Sequence, residues 1–210
     1  MQRNYHTDTS QLPNHYELAK QTAFHEAGHA AAIHLRNKQK RLAPVNFEIQ
    51  INKPSQPNQQ FSAKVVDGLL IHNLSSALDT RLSERERRDQ QRAFEADVVN
   101  LLVGPLAEAR YVSIRDDEIF NQRLVNTKAL QNYGGLSDVE HATHYLSAFI
   151  SDHKQREKKM LELFNEAYRF IDNSSHWQCI LNLAQYILQC KQDRLSCEEV
   201  IGIFDRCCNT

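Results

Sequence analysis

In the segment TAFHEAGHAAAIH, two histidines and a glutamate stand at a spacing that can do chemistry: His25-Glu26-Ala27-Gly28-His29 reads as HExxH. On an α-helix His25 and His29 lie one turn apart on one face, so both imidazoles can reach a single metal ion. Glu26 sits at the rim of that face, where a carboxylate can accept a proton from a water and deliver it to a leaving amine. Zinc suits such a donor set, lowers the pKa of its water to about 7 and polarises a scissile carbonyl. The pattern therefore points to amide hydrolysis, with His25 and His29 as metal ligands, Glu26 as general base, and a third ligand still to be found. A chain of this composition would contain an HExxH by chance about 0.03 times, so a match on a helix carries weight.

The longer pattern HExxHxxGxxH is not met. Leu35 stands where its third His belongs, and Ala32 where its Gly belongs. His34 is then expected to be a structural histidine. Gly28 in mid-helix costs about 1 kcal/mol relative to Ala, which marks a close backbone approach at this face.

The elements that must position these groups follow from local signals. Residues 1–13 are polar and aperiodic and read as a flexible N-terminal tail, and Asn14 with Glu17 makes a capping box that opens a helix through about Leu35. Val45, Phe47, Ile49 and Ile51 then alternate with polar residues, as in a half-buried strand. Such a strand, soon after the HExxH helix, could take an extended substrate by strand addition. Two prolines make residues 53–60 a loop, a second strand covers residues 61–66, and Asp67-Gly68 suits a hairpin turn into residues 69–72.

Ser83 with Glu86 caps a long helix that reaches about Tyr111, with Gly104-Pro105 as a place for a kink. The Arg-rich start of that helix reads as a solvated face. Residues 112–136 have weak periodicity and suggest an irregular connection or a lid. Ser137 with Glu140 makes a third capping box, and helices follow over residues 155–172, 175–190 and from Ser196 onward, where Glu199 completes another box. The fold class expected is mainly α, with a small sheet or hairpin after the HExxH helix. Residues 14–150 would hold the site and residues 151–210 would form C-terminal helices.

With 210 residues, 41% hydrophobic and 24% charged, the chain suffices for one compact domain or two small ones. Lys plus Arg number 25 against 26 Asp plus Glu, so no basic field draws the chain to nucleic acid. The longest nearly apolar stretch, residues 98–107, is about half of the ~20 residues a membrane helix needs, so no membrane span is expected. The first fourteen residues lack the apolar core of a secretory signal, which favours the cytoplasm. The 5 cysteines agree: the number is odd, all lie in the last third, and no CxxC pair occurs.

TAFHEAGHA resembles the zinc site of the FtsH family of membrane-anchored, ATP-dependent zinc metalloproteases. Two later segments resemble that family in the same order: LLVGPLAEARY, residues 101–111, is similar to its LLxGRxAEE segment, and GGLSDVEHAT, residues 134–143, to its GASNDxxxAT segment. LFNEAYRFI and LSCEEVIGIF resemble its last helices. The resemblance implies a helical, zincin-like metalloprotease domain with Zn2+ as cofactor and Asp138 as third ligand. Glu108 is the rival for that place, or else a brace behind a ligand. His141, one turn beyond Asp138, is expected at the surface.

Two departures limit what carries over. No GxxxxGK[ST] occurs in the 210 residues, so neither the family's ATP-driven motor nor its membrane anchor is implied, and Pro105 stands where the family has Arg. The expected activity is a zinc-dependent endopeptidase acting on unfolded or flexible polypeptides. The alternatives are a non-catalytic or regulatory binding module of the same fold, or a peptidase subunit served in trans by a separate AAA ATPase. Self-association is a further expected mode of partnership.

Overall fold

A computed structural model describes residues 15–54, 59–72 and 82–208, and its centre is set by the small residues of the first helix. That helix, α1, His15–Ala31, buries Ala23, Ala27, Gly28, Ala30 and Ala31. It continues through a π-helical turn, Ala32–Arg36, and a last α turn, Asn37–Gln39. The expected cap Asn14 and the tail at residues 1–13 lie outside the described residues. Small side chains let α1 cross close to α2, Glu84–Arg115. A Cβ on Gly28 would stand 2.7 Å from the Ala107 Cβ and 2.9 Å from the Val103 carbonyl oxygen, so only glycine fits the crossing. The close approach expected at Gly28 is present.

α2 opens with the expected reciprocal cap: the Ser83 N–H donates to Glu86 Oε2 at 2.8 Å and the Glu86 N–H to Ser83 Oγ at 3.3 Å. It runs past Tyr111 to Arg115, with Pro105 inside it and no break in the helix. A proline has no N–H, so the Leu101 carbonyl loses its helical donor there.

Three strands form an antiparallel sheet in the order β2-β1-β3, with β1 Phe47–Asn52, β2 Ser62–Asp67 and β3 Arg194–Leu195. Phe47, Ile49, Ile51, Ala63 and Leu195 face the core. Two expectations are corrected here. First, residues 69–72 are not a strand, although Asp67 and Gly68 do turn the chain with φ of 66° and 85°. The N–H groups of Leu70 and Ile71 go to the buried carboxylate of Asp97, at 2.8 and 2.9 Å, instead of to a ladder. Second, β1 cannot take an added strand, because β2 and β3 cover both of its edges. Among the described residues, the open edge belongs to β2.

The remaining helices are α3, Leu136–Phe149; α4, His153–Asp172; α5, Ser174–Gln189; and α6, Cys197–Cys208. Asp152 and Asn173 cap α4 and α5, and Ser196 with Glu199 forms the expected box on α6. The box expected from Ser137 and Glu140 does not form. Gly134 turns the chain with φ 67° and Gly135 already serves as the N-cap of α3, so Ser137 falls inside the first helical turn. α1 stacks Phe24 on Tyr111 of α2 and Trp177 of α5, at centroid distances of 4.4 and 5.4 Å. The C-terminal helices therefore share one core with the site-bearing part.

The connection between α2 and α3 is pinned. Leu130 is fully buried, Phe120 stacks on Tyr168 at 4.9 Å, and Gln122 donates to Asn165. The segment read as an irregular connection or lid begins with the end of α2 and otherwise serves as a wall. The molecule is mainly helical with one small sheet, and no helix among the described residues is long and apolar enough to cross a membrane. Cys190 and Cys197 are free thiols.

Candidate metal centre

His25 and His29 project from the same face of α1, with ring centroids 4.8 Å apart. Asp138 comes to them from the first turn of α3, where a carboxylate also suits the positive end of the helix dipole. Its Oδ2 lies 3.2 Å from His25 Nε2 and its Oδ1 3.5 Å from His29 Nε2. Ligand atoms of the three residues all fall within 4.8 Å of one another. Donors about 2.1 Å from a tetrahedral ion stand about 3.4 Å apart, so the trio has the spread of a metal site.

Each ring is fixed from behind. His25 Nδ1 faces Glu108 Oε2 at 3.0 Å, and His29 Nδ1 faces the Asn100 carbonyl at 2.8 Å. Both partners are acceptors, so both Nδ1 atoms carry the hydrogen. In a neutral ring each Nε2 then presents a lone pair to the Asp138 carboxylate, and that arrangement calls for a cation between them, a proton or a metal ion. Burial works against a charged His25, but its hydrogen bonds to Asp138 and Glu108 outweigh that and raise its pKa to about 10. Burial likewise opposes the Asp138 carboxylate, and the neighbouring His29 and His25 still hold its pKa below the ordinary value.

Glu108 thus lies behind His25, on its Nδ1 side, and Asp138 faces the Nε2 atoms of both imidazoles. Three glycines make room for the assembly. A Cβ on Gly104 would stand 2.3 Å from His29 Nε2, and one on Gly134 would crowd Glu108 Oε2 at 3.0 Å and His25 Nδ1 at 3.2 Å. Gly28 sets the helix crossing that brings Gly104 to His29. His34 stays apart: its ring stacks on Phe204 at 5.9 Å, and its Nε2 is buried without a partner among the described residues. His141 is exposed, as expected.

Glu26 borders a cleft of about 430 Å3 formed by the trio, Ala63 and Val65 of β2, and neighbouring polar residues. Its Oε2 accepts a hydrogen bond from the Val65 N–H at 2.6 Å. Side chains of His25, His29, Asp138 and Glu108 are 9%, 11%, 14% and 9% exposed, so the centre is sheltered but reachable from that cleft. A larger cleft, about 660 Å3, lies between α3, α4 and the connection. It is lined by Leu146, Met160 and Phe164 and is remote from the trio in chemistry, with His153 as its sole imidazole. Two backbone groups at the centre, the Asn100 carbonyl and the Val65 N–H, had no signature in the sequence, since every residue carries them.

The chain matches no protein-family model, and a comparison with curated proteins likewise finds no match.

Proposed function

We propose that this chain is a zinc-dependent metalloendopeptidase, built on a zincin-like fold of the FtsH type, that hydrolyses unfolded or flexible polypeptides. The observation that carries this reading is the convergence of two back-anchored imidazoles and one carboxylate beside a further acid, Glu26, at an open cleft. His25, His29 and Asp138 would hold the metal. Zinc bound there supplies a Lewis acid and brings the pKa of a coordinated water to about 7. Glu108 and the Asn100 carbonyl keep both imidazoles in the tautomer that leaves Nε2 for the ion. Glu26 accepts the proton of the attacking water and passes it to the amine that leaves.

The free edge of β2 supports a polypeptide as substrate, because an extended segment can add to it by main-chain hydrogen bonds. A flexible or locally unfolded chain presents such a segment most readily. The segments that resemble FtsH-type motifs contribute to the same centre: residues 101–111 carry Gly104 and Glu108, and residues 134–143 carry Gly134 and Asp138.

The test is zinc content together with hydrolysis of a disordered protein and of a tightly folded one, without ATP, for the wild type and Glu26→Gln. One zinc per chain, cleavage of the disordered protein alone, and a drop of about 10²–10⁴-fold in the variant are expected. Zinc without any cleavage would favour a binding module or a subunit served by an ATPase. A chain that takes up no zinc would sink the proposal.

A further inference from the structure

The pairing of β2 tells which of its backbone groups are open. The Gly68 N–H donates to the Asn46 carbonyl, and the same register sets Val65 opposite Ile49 and Ala63 opposite Ile51. In an antiparallel ladder, pairs that exchange hydrogen bonds alternate with pairs that do not. Ser62, Lys64 and Val66 therefore bond to β1, whereas Ala63 and Val65 turn N–H and C=O to the free edge. An outward N–H on an edge strand ordinarily goes to water or to an added strand. At Val65 it goes to Glu26 Oε2, over 2.6 Å.

We infer that the Val65 N–H is the group that aims Glu26, so that one edge strand both receives an extended chain, at Ala63, and orients the base, at Val65. The catalytic part of this rests on the metallopeptidase reading; the contact itself does not. A glutamate with three free torsions is poorly aimed, and one strong bond to a rigid backbone donor fixes Oε2 and leaves Oε1 for proton transfer. The same bond withholds the Val65 N–H from an added strand. The incoming chain must then pair through Ala63 and the Val65 carbonyl, which fixes its register against the metal centre.

Amide hydrogen exchange of the whole chain tests the contact without any need for activity. The Val65 amide should exchange roughly tenfold or more slowly in the wild type than in Glu26→Ala, while the Lys64 and Val66 amides, in the ladder, keep their protection. Equal exchange at Val65 in the two proteins overturns the inference, even if the wild type binds zinc and cleaves. The positioning role is read from Val65→Pro against Val65→Ala. Proline removes the N–H without costing a ladder bond, and alanine controls for lost packing. With zinc bound, kcat of Val65→Pro should fall roughly tenfold or more below that of Val65→Ala at a similar KM. A raised KM with kcat kept would instead make the N–H a substrate donor and overturn the role. A wild type that binds zinc but cleaves nothing would remove the peptidase reading, and the exchange result would still decide the contact.

Discussion

At His25 a single ring links three acids of different standing: Asp138 on its Nε2, Glu108 on its Nδ1, and Glu26 as its neighbour in the chain. Their roles separate by geometry. Glu108 touches only the far side of the ring, so Glu108→Gln keeps an acceptor there but removes its charge. Zinc affinity is expected to fall about 10- to 100-fold, as measured by competition with a chelator, with the fold unchanged by circular dichroism. On the metallopeptidase reading, Asp138→Ala removes a ligand outright and should abolish tight zinc binding. His25, His29 and Glu26 were legible in the sequence because one helical turn fixes their relation. Asp138 and Glu108 were not, from periodicity alone, because 113 and 83 residues separate them from His25. They came into view through the resemblance of the segments that hold them.

At the scale of elements, the crossing of α1 and α2 controls the candidate metal centre. In Gly104→Ala the helix gains about 1 kcal/mol of propensity, but the new methyl meets the His29 ring. Overpacking of this kind costs about 1–3 kcal/mol, so net stability should change little or fall modestly while His29 is pushed from Asp138. Thermal unfolding of the metal-free protein beside a zinc titration separates the two effects: a larger loss in zinc affinity than in stability is expected. Helices with their own caps, such as α2 and α6, were readable because Ser83–Glu86 and Ser196–Glu199 are local pairs. The sheet was not fully readable. β3 is two residues long, and Arg194 reaches Glu48 across 146 positions, so no local pattern announces the pairing. Residues 69–72 misled for a related reason, since Asp67-Gly68 does turn the chain but a distant acid, Asp97, claims the next amides.

For the molecule as a whole, Asp97 joins the turn after β2 to α2, and through the Tyr145 hydroxyl on the Ile71 carbonyl to α3. Burial pushes its carboxyl up to about 6 from an ordinary value of 3.8, although the Leu70 and Ile71 N–H groups work the other way. A carboxyl with a higher pKa folded than unfolded takes up its proton more readily in the folded chain. Its stabilising share is therefore full below about 3.8 and is lost as pH rises through about 6. Asp97→Asn should cost about 1–3 kcal/mol, because its amide turns an N–H toward one of the two backbone donors. Denaturant unfolding at two pH values checks the sign: the gap between wild type and variant should be wider near pH 5 than near pH 7.

The separation of 113 positions from His25 to Asp138 also sets a timetable. At 5–20 residues per second, a ribosome delivers the HExxH helix roughly ten seconds before the third ligand. On the metallopeptidase reading, the nascent chain, unfolded and so itself a fit substrate, passes that interval with two ligands and no complete hydrolytic centre. Chain order alone thus shields the protein from cutting itself or its neighbours while it is being made.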